Sequence, residues 1–143
     1  MIKKKVLITG ASGFIGSTAV DKAIELGYDT WAGIRSSSSR KYLTDSRIQF
    51  AFLDCSNKNS LKNQLTDLAE KHGKFDYIIH IAGLTKAIRK SDFDNVNYIQ
   101  TRNLAESLIE IDAVPEAFVL MSSLSVMGSG DEFGYTPLKN DHI

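Results

Sequence analysis

The chain has 143 residues, 43% of them hydrophobic and 24% charged, and its seventeen basic side chains balance seventeen acidic ones. That length suits one domain with a core of its own, and zero net charge argues against a nucleic-acid or membrane-surface partner. The lone Cys55 excludes an internal disulfide and fits a reducing cytoplasm, and no metal site is expected.

The basic start Met1-Ile2-Lys3-Lys4-Lys5 leads into Val6-Leu7-Ile8, an apolar run too short for a signal peptide and too short to span a bilayer. It reads instead as a strand. Thr9-Gly10-Ala11-Ser12-Gly13-Phe14-Ile15-Gly16 follows, and an amphipathic helix is expected over residues 14–26. A glycine triplet between a short apolar strand and a helix is the setting of a phosphate-binding turn. Gly10 permits the tight turn, Gly13 lets backbone approach a pyrophosphate, and Gly16 lets the helix pack closely on the strand. The free N–H groups of the first helical turn then face the phosphates, whose charge the helix dipole favours. The alternative is a glycine-rich turn that holds nothing.

Gly27 is the expected C-cap, followed by a second strand at Asp29–Ile34. The serine tract Ser36-Ser37-Ser38-Ser39 and a helical turn near residues 40–43 lead to a third strand at 48–53. Asn57 or Asn59 caps the next helix, in which Leu61, Leu65, Leu68 and Ala69 recur at helical spacing. Lys71-His72-Gly73-Lys74 closes it with positive charge at the negative dipole end. Residues 75–82 are almost continuously apolar, as in a strand covered on both faces. A long helix is expected from about residue 91 to 111, with Phe93, Val96, Leu104, Leu108 and Ile111 toward the core, and a fifth strand at 117–121. Strand and helix alternate throughout. That pattern calls for an α/β fold, a three-layer doubly wound Rossmann arrangement with a parallel sheet of at least five strands in the order 3-2-1-4-5. From Ser122 onward the pattern dissolves, so residues 1–143 are expected to be one NAD(P)-binding domain cut from a longer protein.

Four segments resemble the extended short-chain dehydrogenase/reductase superfamily, in its NAD(P)-dependent epimerase/dehydratase branch. Thr9 to Gly16 is similar to its T-G-x-x-G-x-x-G, and His80-Ile81-Ala82-Gly83 to its H-x-A-[AG]. Asn97, Thr101, Asn103 and Leu104 match N-x-x-x-T-x-N-L; Ser122 to Gly128 match S-S-x-x-V-Y-G, with Met127 where tyrosine is usual. The resemblance implies that Ser12, Gly13, Phe14 and Ile15 contact the pyrophosphate and that Asp54 accepts a hydrogen bond from adenine. Otherwise Asp54 is a capping or solvated loop carboxylate. Ile81, Ala82 and Gly83 would lie against the cofactor ribose, and Asn97 would stabilise the end of the fourth strand and the active-site geometry. His80 is expected to be structural.

A ribose 2′-hydroxyl is usually held by a carboxylate at the end of the second strand, whereas a 2′-phosphate needs positive charge. Ala32-Gly33-Ile34-Arg35 has no Asp or Glu, and Arg35, the serines, Arg40 and Lys41 follow. NADP is therefore favoured, with NAD possible. The superfamily uses a tyrosine for proton transfer, a lysine beside it and a serine on the substrate oxygen; the resemblance makes Ser123 that serine. Tyr135 and Lys139 have the Y-x-x-x-K spacing, but Pro137 between them interrupts a helix, so the pair is read as coincidence and the real one is expected beyond Ile143. The function the resemblance implies is the cofactor-binding portion of an NAD(P)-dependent oxidoreductase of the nucleotide-sugar epimerase/dehydratase type, with a small-molecule substrate. The alternatives are an NADP-dependent carbonyl reductase and a non-catalytic dinucleotide-binding regulatory module. An exposed fifth strand could support a homodimer.

Overall fold

The computed structural model describes residues 3–123. β1 (Lys5–Thr9) turns into α1 (Phe14–Glu25), then β2 (Asp29–Ile34), β3 (Gln49–Phe52), α2 (Lys58–His72) and β4 (Tyr77–His80) follow. A helical run then passes through α3 (Lys90–Phe93), a π-helical segment (Asp94–Ile99) and α4 (Gln100–Glu110) before β5 (Ala117–Leu120). The strands form one parallel sheet in the order β3-β2-β1-β4-β5. The expected topology is therefore present.

Alternation along β1 builds two cores. Val6 and Ile8 face α1, where they join Val20, Ala23, Ile24, Ala32 and Ile34. Leu7 points the other way, into Trp31, Leu61, Leu65, Ile78, Leu104 and Leu108 under α2 and α4. Each fully buried side chain of this size contributes roughly 2 kcal/mol by leaving water. The centre of the sheet is thus covered by helices on both faces, which fixes its strand ends and leaves their carboxyl edge to carry ligands.

Local signals place the helices. Asn57 caps α2 by accepting the Ser60 N–H through Oδ1 at 3.0 Å. The Gly27 N–H donates to the Ile24 carbonyl at 3.0 Å and turns the chain from α1 into β2.

Three expectations change. Residues 40–43 form a single turn, with the Leu43 N–H on the Arg40 carbonyl, because Asp45 at once folds the chain again by accepting the Arg47 N–H at 2.8 Å. The fourth strand is four residues long. The long helix carries the π segment, and its extra residue per turn shifts the phase of the apolar face. Leu104 and Leu108 accordingly reach the core, while Phe93 and Val96 are only half-buried.

β5 is exposed along all four residues among the described part of the chain. Among the described residues, no helix is long and apolar enough to cross a membrane.

Candidate functional site

A cleft of about 580 Å³ opens at the carboxyl ends of β1, β2 and β4, within the range typical of small-molecule sites. Its floor is the β1–α1 turn: Thr9, Gly10, Ser12, Gly13, Phe14, Ile15 and Gly16. Ile81, Ala82, Gly83, Leu84 and Thr85 after β4 form one wall, and Gly33, Ile34, Arg35 and Ser38 form the other.

The three glycines of the turn differ in what they are for. Gly10 has φ +68°, and a Cβ there would lie 2.6 Å from the Ala82 nitrogen. A Cβ on Gly16 would lie 2.7 Å from the Gly10 carbonyl carbon and 2.8 Å from the Ala11 Cα. Both are demanded by the fold. The close packing partner of Gly16 is this turn, just past the end of the strand. Gly13 is different: a Cβ there meets only the Gly10 carbonyl oxygen, at 3.4 Å, and φ −82° with ψ 172° suits any residue. Among the described residues nothing requires glycine at 13, and the position lines the cleft.

Gly13 is also the N-cap of α1. Among the described residues no side chain caps this helix end, and its first turn carries no acidic residue. The first N–H groups of a helix have no intrahelical acceptor, so this end presents bare donors and a positive dipole to the cleft floor. Phe14 is 86% exposed, an apolar side chain left at the rim.

Below the β4 wall lies a hydrogen-bond chain. Thr9 Oγ1 sits 2.7 Å from His80 Nδ1, and His80 Nε2 sits 2.9 Å from Thr101 Oγ1. The Ala82 N–H donates to Thr9 Oγ1 at 3.3 Å, and the Thr101 hydroxyl donates to the Asn97 carbonyl at 3.0 Å. Burial lowers the His80 pKa below its ordinary 6.5. His80 is therefore a buried, fully bonded residue of the framework.

Asn97 grips Leu84 at both backbone atoms: Oδ1 accepts the Leu84 N–H at 2.7 Å, and Nδ2 donates to the Leu84 carbonyl at 3.0 Å. Asn103 Nδ2 donates to the Cys55 carbonyl at 2.9 Å and ties α4 to the turn after β3.

On the opposite wall, Arg35 and Ser38 share a turn, with the Arg35 N–H on Ser38 Oγ at 3.2 Å and the Ser38 N–H on the Arg35 carbonyl at 3.0 Å. Arg40 lies elsewhere, its guanidinium 4.6 Å from the centre of the Phe50 ring. Asp54 Oδ1 accepts from the Ser56 hydroxyl at 2.6 Å and the Ser56 N–H at 3.0 Å. Those bonds, assisted by the Arg35 charge, hold its carboxyl below the usual carboxylate range. Cys55 lines the cleft, but burial and then the Asp54 charge push its thiol up to about 11, so it is protonated and unreactive at neutral pH.

The profile of the NAD dependent epimerase/dehydratase family matches residues 6–142, nearly the whole chain. The chain belongs to that family. The UDP-glucose 4-epimerase of Mus musculus is 31% identical over 97% of the chain, which spans 42% of that protein's length. A solved UDP-galactose 4-epimerase superposes with a TM-score of 0.69 at 25% identity, over 89% of this chain and 41% of that one. ElxO with NADPH bound has a TM-score of 0.75 at 24% identity, over 93% of this chain and 60% of that one.

Of the residues expected in this family member's site, Gly10, Ser12, Gly13, Phe14, Ile15, Gly16, Arg35, Ile81, Ala82 and Gly83 meet around the cleft. Asp54 and Asn97 are neighbours in the chain of the lining residues Leu53, Cys55 and Val96 and do not themselves line the cleft. Ser123, exposed, is the last described residue. Tyr135 and Lys139 lie outside the described residues. Among the described residues, no group of His, Cys, Asp or Glu is arranged to hold a metal.

Sequence reasoning missed Leu84, Thr85, Val96 and Gln100, which complete the cleft. They belong to no glycine or polar motif. It also gave no task to Thr9 and Thr101, although both stood within quoted motifs.

Proposed function

We propose that this chain is the cofactor-binding portion of an NAD(P)-dependent oxidoreductase of the epimerase/dehydratase type that acts on a nucleotide sugar. The observation that carries this reading is the uncapped N-terminus of α1, facing a cleft floor where Gly13 is glycine for no internal reason. Bare N–H donors and a helix dipole suit a pyrophosphate, and the Mus musculus relative is named for UDP-glucose. Ser12, the Gly13 backbone and the N–H groups of residues 14–16 would hold the pyrophosphate, with the backbone of Ile81, Ala82 and Gly83 against the ribose. Asp54 would have to bring its second carboxylate oxygen toward adenine. A nicotinamide ring, when bound, supplies the hydride donor or acceptor. Ser123 would hydrogen-bond the reacting oxygen of the substrate and hold it for proton transfer.

Arg35 supports NADP over NAD. It lines the cleft at the end of β2, has no hydrogen-bond or ion-pair partner through its side chain among the described residues, and offers a guanidinium that can clasp a phosphate. The same residue favours a second reading, a carbonyl reductase that consumes NADPH, as the NADPH held by ElxO also suggests. The exposed β5 supports a homodimer as the assembled form.

The test uses the intact protein that carries this chain. It is incubated with UDP-glucose and UDP-galactose in the presence of NAD or NADP, and interconversion is followed. Interconversion or dehydration is expected. Reduction of simple ketones by NADPH alone would select the reductase, and hydride transfer with neither substrate class would overturn both.

A further inference from the structure

The His80 chain reaches further than a strand-end tie. A carbonyl oxygen only accepts, so the Thr101 hydroxyl spends its single proton on the Asn97 carbonyl. At His80 the same hydroxyl must then accept, which puts the imidazole proton on Nε2. Nδ1 is left as the acceptor, and the Thr9 hydroxyl donates to it. Thr9 oxygen finally accepts the Ala82 N–H. Every donor and acceptor is used once, and only the neutral Nε2–H tautomer allows it. An imidazolium would turn Nδ1 into a donor and strand the Thr9 hydroxyl proton.

The far end of this chain is the π segment. Asn97 lies within it, and π turns are rare in helices and frequent at functional sites. The Thr101 hydroxyl bonds the backbone carbonyl of the same residue whose side chain grips Leu84 on both sides. Leu84 and its neighbours Gly83 and Thr85 are cleft wall. We infer that Thr101 is a positioning residue: through His80 and the Asn97 carbonyl it fixes the π turn that aims the Asn97 amide at Leu84, and so sets the wall against which the dinucleotide lies. Thr101 does not line the cleft and acts through His80 and Asn97. The inference rests on the proposed dinucleotide site for its effect on binding, but its effect on Leu84 stands without it.

Three readouts on the full chain test this. Nitrogen NMR of His80 is expected to show a protonated Nε2 and a bare Nδ1 at pH 7.5; the opposite tautomer would overturn the proton order directly. Thr101→Val keeps the shape and removes the hydroxyl. It is expected to speed exchange of the Leu84 amide hydrogen and to weaken NADP binding, each roughly tenfold, as for loss of one buried hydrogen bond. Thr101→Ser, which restores the hydroxyl, is expected to return both to within about twofold of the parent. A Thr101→Val chain that stays folded with unchanged Leu84 exchange contradicts the inference. If the parent chain binds no dinucleotide while Leu84 exchange responds as described, the binding reading fails and the positioning role holds.

Discussion

The two walls of the cleft are built on different terms. On the β4 side each residue is set by its neighbours: Gly10 has no room for a Cβ beside Ala82, Asn97 takes both backbone atoms of Leu84, and His80 is bonded at both nitrogens. On the β2 side Arg35 and Ser38 stand on a short turn held by one backbone hydrogen bond and one to the Ser38 hydroxyl, with an exposed guanidinium. The first wall is part of the fold and the second is a surface laid upon it. Changes to the first should therefore be felt as stability, and changes to the second as selectivity.

The largest expected effect lies on the fold side. Gly10→Ala forces a side chain into φ +68° and against the Ala82 backbone, which should destabilise the chain by roughly 3 kcal/mol or more. Thermal unfolding measures it, and an unchanged midpoint would mean that the turn is looser than its geometry. Gly13→Ala sharpens the contrast from within the same turn. Its Cβ has room, so the unfolding midpoint should hardly move while NADP affinity falls about tenfold or more, since the methyl stands where the pyrophosphate is expected. A large loss of stability instead would make glycine 13 a demand of the fold.

Arg35→Ala probes the other wall. NADP binding should weaken by roughly tenfold with NAD binding little changed, as expected for a guanidinium that meets only the additional phosphate. Equal effects on both cofactors would remove Arg35 from the 2′-phosphate. The smallest effect is that of pH on the β4 wall. Burial lowers the His80 pKa below 6.5 in the folded chain, so the unfolded chain takes up this proton first. Its stabilising share is full above pH 6.5 and declines as pH falls below it toward the folded value. Urea unfolding at pH 7.5 and 5.5 should show the decline, and His80→Asn should reduce it.

The contrast between the walls also explains how much the sequence foretold. The Thr9–Gly16 turn, the alternation of Val6, Leu7 and Ile8 and the cap at Asn57 are local constraints, so strand order and cleft floor were legible. The π segment was not. Residues 91–111 carry an ordinary helical period, and the interruption coincides with the Asn97–Leu84 clasp and the His80–Thr101 bond, which join residues 13 and 21 positions apart. Asp54 was legible from its place after the third strand and Asn97 as a motif position, but their partners, Ser56 and Leu84, are set by the folded turns and were not. Arg40 and Lys41 stood in the sequence as further cations after Arg35; the Arg40 guanidinium lies over the Phe50 ring, and neither residue lines the cleft.

The central claim is that a dinucleotide lies on the bare end of α1. Calorimetric titration of the full chain with NADP and with NAD, at low and at high salt, tests it most directly. Saturable binding of both is predicted, with NADP tighter at low salt and losing most of its advantage as salt screens Arg35. A folded chain that binds neither dinucleotide at either salt would contradict the claim.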